Sequence, residues 1–142
     1  MEQEQTEPVE HTEPVAHRAS ASVSRVPAFI APAQHAVLDY GVAAAFFTLG
    51  TIFARRHRRR AAILAFTNGA MVLGMSVLTD YPGGIYRTLS FRTHRTGDIF
   101  QAALAGLGPV LLGFGDEPEA TYFYGQAATE VGVIALTDWD AA

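Results

Sequence analysis

The sequence predicts an all-α fold, a four-helix transmembrane bundle built from two tandem two-helix repeats. The first observation behind this prediction is a set of four apolar segments that follow an N-terminal tail. Each has about 18–19 residues, close to the ~20 that a helix needs to cross the hydrocarbon core of a bilayer. The second observation is that polar motifs of the first half recur in the second half at a nearly constant offset, which marks a repeated structural unit.

The stretch 1–34 is predicted to be a disordered tail. It holds a nearly repeated motif, Thr6-Glu-Pro-Val and Thr12-Glu-Pro-Val, and too few apolar side chains to offset the entropy of ordering. It also lacks the basic stretch and apolar run of a secretory signal. Many of the acidic residues lie in this stretch, so the net charge of −4 says little about binding partners. The stretch 35–142 is expected to form a membrane domain with four spans.

The four apolar segments lack a water-facing stripe. A helix on the surface of a soluble bundle would show a polar face that recurs with each helical turn. The second segment carries no charge, and its polar side chains are few: Thr67, Asn68, Ser76 and Thr79. A helix that is apolar all round is buried or faces lipid, so the lipid bilayer is the expected partner. The segments are residues 36–54, 61–79, 98–115 and 120–137.

A short arginine-rich loop predicts the orientation of the protein. Residues 55–60 contain five arginines and connect the first two apolar segments. Because such loops stay on the cytoplasmic side, both termini are predicted to lie outside the cytoplasm, in a multi-pass protein of the inner membrane. The alternative is a more specific function, in which the arginines bind anionic lipid or nucleic acid. The topological role is favoured, and no nucleic-acid partner is predicted.

Two polar motifs define the repeat. The sequence His35-Ala-Val-Leu-Asp39 recurs as His94-Arg-Thr-Gly-Asp98, with the histidine and the aspartate displaced equally along the chain. The sequence Thr79-Asp80-Tyr81 recurs as Thr137-Asp138-Trp139, at an offset that is shorter by one position. With four spans, all four motifs lie at the same membrane face, as in a parallel repeat. The two repeats are residues 35–81 and 94–139.

The repeated motifs predict a shared metal-binding or proton-handling site. Histidine and aspartate at positions i and i+4 share one face of a helix, so two such faces would bring imidazoles and carboxylates together. The chain has no cysteine, and mixed imidazole and carboxylate ligands suit Zn, Mn or Fe. The candidate ligands are His35, Asp39, Asp80, His94, Asp98 and Asp138.

The alternative is a non-catalytic structural or accessory membrane subunit whose polar residues cap the helices and fix their register. Asp39 and Asp98 would then complement helix dipoles at N-terminal ends, and partners would be other membrane subunits or a second copy. Asp80 and Asp138 fit this alternative less well, because an acid at a helix C-terminus opposes the dipole. No nucleophile motif, phosphate loop or zinc-protease motif indicates a reaction.

Three further polar residues lie inside the predicted spans. Glu130 lies about two turns inside the fourth segment, and Gln126 is one turn further in on the same side. Gln126 matches Asn68 of the first repeat, whereas Glu130 matches Val72. An ionisable residue inside a membrane usually faces a partner or water, so Glu130 is a candidate functional residue.

One family resemblance comes from the second half. The stretch Gly106-Leu-Gly-Pro-Val-Leu-Leu-Gly-Phe114, followed by Ala120-Thr-Tyr-Phe-Tyr-Gly125, resembles the SPW-repeat small bacterial membrane proteins. At the positions of their Ser-Pro-Trp motif this chain has Gly108, Pro109 and Val110, and the first half has no proline at the corresponding place. The resemblance covers little more than a quarter of the chain. It implies a bacterial helical membrane protein without an assigned reaction.

Overall fold

Four α-helices make up the secondary structure of the part of the chain that the structure describes. The computed structural model describes residues 28–141, and within this range it contains no strand beyond two isolated β-bridges. The prediction of an all-α fold with four helices is therefore confirmed. By length and apolar composition, α1 and α2 could cross a membrane. The helices are α1 (Pro32–Arg55), α2 (Arg59–Leu78), α3 (Phe91–Leu111) and α4 (Ala120–Leu136).

The helix starts follow local capping chemistry rather than hydropathy. Pro32 occupies the first turn of α1, where its missing N–H costs no hydrogen bond, and the Gln34 side chain accepts from the backbone N–H of Ala31 at 2.9 Å. The Ser90 side chain accepts from the backbone N–H of Thr93 at 3.1 Å and caps α3. As a result α3 begins well before the apolar segment predicted to start at position 98, and His94 is helical.

The folded part of the chain begins earlier than the predicted boundary at position 34. Residues 1–27 of the predicted tail lie outside the described residues. Ile30, by contrast, forms a backbone bridge with Thr137 at the end of α4, and α1 starts at Pro32. The stretch 28–34 therefore belongs to the helical domain.

The ends of the helices are joined in the same way in both halves. Ile30, before α1, bridges to Thr137 after α4, and Leu89, before α3, bridges to Thr79 after α2. The backbone hydrogen bonds around the two bridges measure 2.7–3.0 Å and join matching positions in the two halves of the chain. These bridges bring the starts of α1 and α3 and the ends of α2 and α4 to one end of the bundle, where the polar motifs lie.

An aromatic core fills the middle and the opposite end of the bundle. Phe123 of α4 is fully buried, and its ring centroid lies 5.7 Å from Phe114, 6.0 Å from Phe46 and 6.2 Å from Phe53. Alanines on α2, such as Ala65, let the helices approach this cluster. Large aromatic side chains contribute much of the packing here, because each ring buries roughly 150–250 Å² of surface.

The arginine-rich loop forms salt bridges with the loop between α3 and α4. Arg60 Nη2 lies 2.7 Å from Glu117 Oε1, and Arg58 Nε lies 3.1 Å from Glu119 Oε1. Arg60 also donates to the backbone carbonyl of Gly113 at 2.6 Å. The arginine side chains are about half exposed, so each pair contributes only about 0–1 kcal/mol. These contacts join the two loops at the end of the bundle opposite to the polar motifs.

Candidate metal centre

Two histidines and two aspartates converge inside the bundle. His35 and Asp39 lie on one face of α1, and His94 and Asp98 lie on the matching face of α3, because residues four apart share a helix face. The histidines are 0% and 1% exposed and each aspartate is 6% exposed. The sequence-predicted convergence of these four residues is thus present in the structure.

Each imidazole lies between the two carboxylates. His35 Nε2 is 3.4 Å from Asp39 Oδ1 and 3.2 Å from Asp98 Oδ2. His94 Nε2 is 3.1 Å from Asp39 Oδ2 and 3.0 Å from Asp98 Oδ1. The two rings are nearly perpendicular, with centroids 5.3 Å apart. The four residues therefore form one closed ring in which imidazoles and carboxylates alternate, which we call the His/Asp cluster.

Two threonine hydroxyls determine which imidazole nitrogen faces the cluster. Thr79 and Thr137 each donate their hydroxyl hydrogen to the backbone carbonyl four residues before them, at 2.7 Å. A hydroxyl has only one hydrogen to donate, so each oxygen must accept from its histidine. Thr79 accepts from Nδ1–H of His94 at 2.6 Å, and Thr137 accepts from Nδ1–H of His35 at 3.0 Å. Both Nε2 atoms are thereby directed towards the carboxylates.

Three atoms of the cluster are buried without a hydrogen-bond partner among the described residues. They are Nε2 of His35, Nε2 of His94 and Oδ2 of Asp98. Both nitrogens lie close to carboxylate oxygens, yet no pair meets hydrogen-bond geometry. Ligand atoms of His35, Asp39 and His94 lie within 4.8 Å of one another, as a shared cation would require. Neutral imidazole nitrogens and carboxylate oxygens are suitable ligands for such an ion.

The two carboxylates differ in their additional hydrogen bonds. Asp39 Oδ2 accepts from the Tyr81 hydroxyl at 2.8 Å and from the Ser76 hydroxyl at 3.4 Å. Burial, together with the neighbouring Asp39 carboxylate, raises the pKa of the Tyr81 hydroxyl well above its usual range, so this hydroxyl remains a donor. Asp98 has no comparable donor for Oδ2 among the described residues. Asp39 is therefore held in place, whereas Asp98 keeps free lone pairs.

Aromatic rings cover the cluster at the end of the bundle. Trp139 lies 5.0 Å from the His35 ring, Phe91 lies 4.7 Å from Trp139, and Tyr81 lies 5.4 Å from the His94 ring, measured between centroids. We call Tyr81, Phe91 and Trp139 the aromatic layer. The layer shields the cluster from water, and electrostatic attraction between the buried groups is correspondingly stronger than in water.

Asp80 and Asp138, which the sequence also suggested as ligands, lie outside the cluster. The Asp80 side chain is 63% exposed, and its Oδ1 is 3.9 Å from Arg87 Nη1. Asp138 Oδ1 accepts from the backbone N–H of Asp140 at 3.2 Å. The physical reason is that the chain becomes extended at Thr79 and Thr137, where consecutive side chains point to opposite sides. Threonine and the aromatic residue thus face inward and aspartate faces outward.

A sequence signal marks Thr79 and Thr137. Both belong to the repeated Thr-Asp-aromatic motif, in which the aspartate carboxylate is the stronger type of metal ligand. The motif needs the close turn that follows α2, because a side chain at Gly84 would overlap the backbone carbonyl of Thr79. Ser76, which donates to Asp39, could not be found in this way. The equivalent position of the second half is Ile134, so the serine is not repeated.

A second group of polar side chains lies in the bundle interior. Asn68 donates to the carbonyl of Leu64 at 2.8 Å, and Gln101 donates to Asn68 Oδ1 at 3.4 Å. Gln126 donates to Glu130 Oε2 at 3.1 Å. Glu130 is buried. Gln101 was missed in the sequence because Val42, its counterpart in the first half, is apolar.

Comparison with models of known protein families, with characterised proteins and with solved structures found no match for this chain. The resemblance to the SPW-repeat proteins therefore stays a prediction. Functional inference rests on the geometry of the His/Asp cluster.

We predict that Thr79→Val destabilises the protein, because the variant keeps the side-chain shape but leaves Nδ1–H of His94 buried without an acceptor. Such a loss typically costs about 1–3 kcal/mol. Thr129→Val is the matched control, since Thr129 makes the same backbone bond within its own helix, to Gly125 at 2.9 Å, but is exposed and contacts no histidine. The free energy of unfolding of each purified variant, compared with that of the wild type, would measure both effects. Equal stability losses in the two variants would contradict the assigned role of Thr79.

Proposed function

We propose that this protein is a small integral membrane protein that holds one divalent transition-metal ion, Zn, Mn or Fe, in its His/Asp cluster. The ligands would be His35, His94, Asp39 and Asp98. One observation carries the proposal: two buried Nε2 atoms, each oriented by a threonine, lie between two carboxylates without a hydrogen bond to either.

The distances within the cluster support a metal ion at its centre. In a tetrahedral site with metal–ligand distances of about 2.0–2.1 Å, neighbouring donor atoms lie roughly 3.3–3.4 Å apart. The four nitrogen–oxygen distances of the cluster are 3.0, 3.1, 3.2 and 3.4 Å. Each Nε2 atom thus lies at nearly this spacing from one oxygen of each aspartate, and the two imidazoles approach different oxygens of the same carboxylate.

Charge and orientation also favour a divalent cation. Two carboxylates neutralise a divalent cation, which lowers the cost of burying either charge away from water. Metal-binding histidines usually donate their other ring N–H to an oxygen, which fixes the tautomer and the ring orientation. Thr79 and Thr137 provide these oxygens here. Four protein ligands under the aromatic layer resemble a closed, structural metal site more than an open catalytic one.

A second candidate function is that of a structural or accessory subunit without metal. The observation that favours it is that the threonine–histidine bonds connect different helices. His35 of α1 binds Thr137 after α4, and His94 of α3 binds Thr79 after α2. Protonated histidines would then form ion pairs with the aspartates, and the cluster would act as a polar clamp that sets helix register. Partners would be other membrane subunits or a second copy of the chain.

We infer that all four helices cross the membrane. Beyond α1 and α2, the proposal is supported by large apolar side chains exposed on α3 and α4, among them Phe100, Leu107, Leu111 and Val131. Such a surface is unfavourable in water and suited to lipid. The arginine-rich loop would be cytoplasmic and both termini would lie outside, in the inner membrane of a bacterium. The matching backbone bridges support an origin of the two halves as tandem repeats.

We predict that the detergent-purified protein contains about one equivalent of Zn, Mn or Fe per chain, measured by elemental mass spectrometry. Asp98→Asn should lower the metal content strongly, because an amide is a far poorer ligand than a carboxylate for these ions. Asp138→Asn is the matched control and should retain the metal, since Asp138 lies outside the cluster. If the wild-type protein is metal-free and takes up no added metal ion, the metal proposal is refuted. The polar clamp then remains as the candidate function.

For topology, we expect a reporter fused after Ala142 to be active on the outer side of the membrane, as the positive-inside bias of the arginine-rich loop requires. Replacing the five arginines of that loop by glutamine should produce mixed orientations. If the reporter fused to the otherwise unchanged chain is active in the cytoplasm, the orientation is the opposite of the one proposed. Activity on both sides without any substitution would argue against four fixed spans.

A further inference from the structure

Two cavities open outside the aromatic layer. The larger has a volume of about 460 Å³, and its lining includes Asp80, Tyr81 and Arg87. The smaller has a volume of about 180 Å³, and its lining includes Asp80, Phe91 and Trp139. Asp80 is common to both, whereas Asp138, at the equivalent position of the second half, lines neither of these two cavities. The outer surface is therefore asymmetric although the cluster beneath it is nearly symmetric.

Tyr81 connects the larger cavity with the His/Asp cluster. Its side chain lines the cavity, and its hydroxyl donates to Asp39 Oδ2 at 2.8 Å. The Tyr81 side chain thus contacts both the open cavity and a carboxylate of the candidate metal centre. A route from the cavity to Asp39 would pass Tyr81, whereas the aromatic core around Phe123 fills the middle and the opposite end of the bundle.

Two opposite charges flank this route. Asp80 and Arg87 are both more than half exposed, and their nearest charged atoms are 3.9 Å apart. Exposed pairs of this kind are weak, so the pair does not lock the Asp80 carboxylate. An approaching cation would be attracted by Asp80 and repelled by Arg87, and single charges near an opening can change association rates in this way.

We propose that the larger cavity is the vestibule through which a divalent cation reaches the His/Asp cluster, with Asp80 as the residue that first captures it. This inference rests on the proposed metal-binding function. Asp80 would bind the hydrated ion transiently at the surface, and the ion would pass Tyr81 to reach Asp39.

The rate of metal loading tests this proposal. The full chain in detergent is stripped with a chelator, the chelator is removed, and Co²⁺ is added while its visible absorption is followed by stopped flow at low ionic strength. Asp80→Asn should slow loading about fivefold or more, the effect of one unit charge acting at about 4 Å in water. Arg87→Gln should accelerate loading, and Asp138→Asn should leave the rate unchanged. Added salt should reduce both effects by screening.

Opposite changes in rate for the Asp80 and Arg87 variants, with unchanged final stoichiometry, would support the vestibule, because a merely structural disturbance would not produce opposite signs. Equal loading rates in all three variants and the wild type would overturn the proposal that the ion enters through this cavity. The proposal that the His/Asp cluster binds metal would be unaffected. A lower final stoichiometry in Asp80→Asn would also overturn it, since Asp80 would then be a ligand. Failure of the wild type to bind Co²⁺ would instead refute the proposed metal-binding function itself, and with it the vestibule.

Discussion

The burial of two carboxylates and two imidazoles in an apolar bundle is the constraint on which the rest of this structure depends. An uncompensated buried ion costs several kcal/mol, so the four groups can remain inside only if they compensate one another or share a cation. Compensation requires α1 and α3 to present their His/Asp faces to each other at the same height. The backbone bridges of Ile30 and Leu89 fix that height by pairing the start of each of these helices with the end of another.

The surroundings of the cluster follow from the same constraint. Each imidazole has two nitrogens, and a threonine hydroxyl that has already donated within its own helix can only accept from one of them. The tautomer is therefore set by helix ends rather than by the cluster itself. The aromatic layer then limits water access, which strengthens the interaction between carboxylates and any cation they hold. The proposed metal binding depends on imidazole orientations that threonines at the ends of α2 and α4 impose.

The sequence predicts some of this site well because the prediction uses only local geometry. His35 and Asp39, like His94 and Asp98, are four residues apart on a helix, and antiparallel packing of successive helices brings both pairs to one end. The outward direction of Asp80 could not be predicted, since it depends on the extended backbone that follows α2. The early start of α3 was likewise missed, because hydropathy marks the apolar length of a helix and the Ser90 cap marks where it begins.

X-ray absorption spectroscopy of the zinc-loaded protein tests most directly whether both histidines and both aspartates bind one ion. We expect two imidazole nitrogens at about 2.0–2.1 Å, with carboxylate oxygens completing a four-coordinate site. Outer-shell scattering characteristic of two imidazole rings should be present in the wild type and reduced to one ring in His94→Ala. A spectrum with no imidazole in the wild type, or one unaffected by the His94 substitution, would contradict the claim.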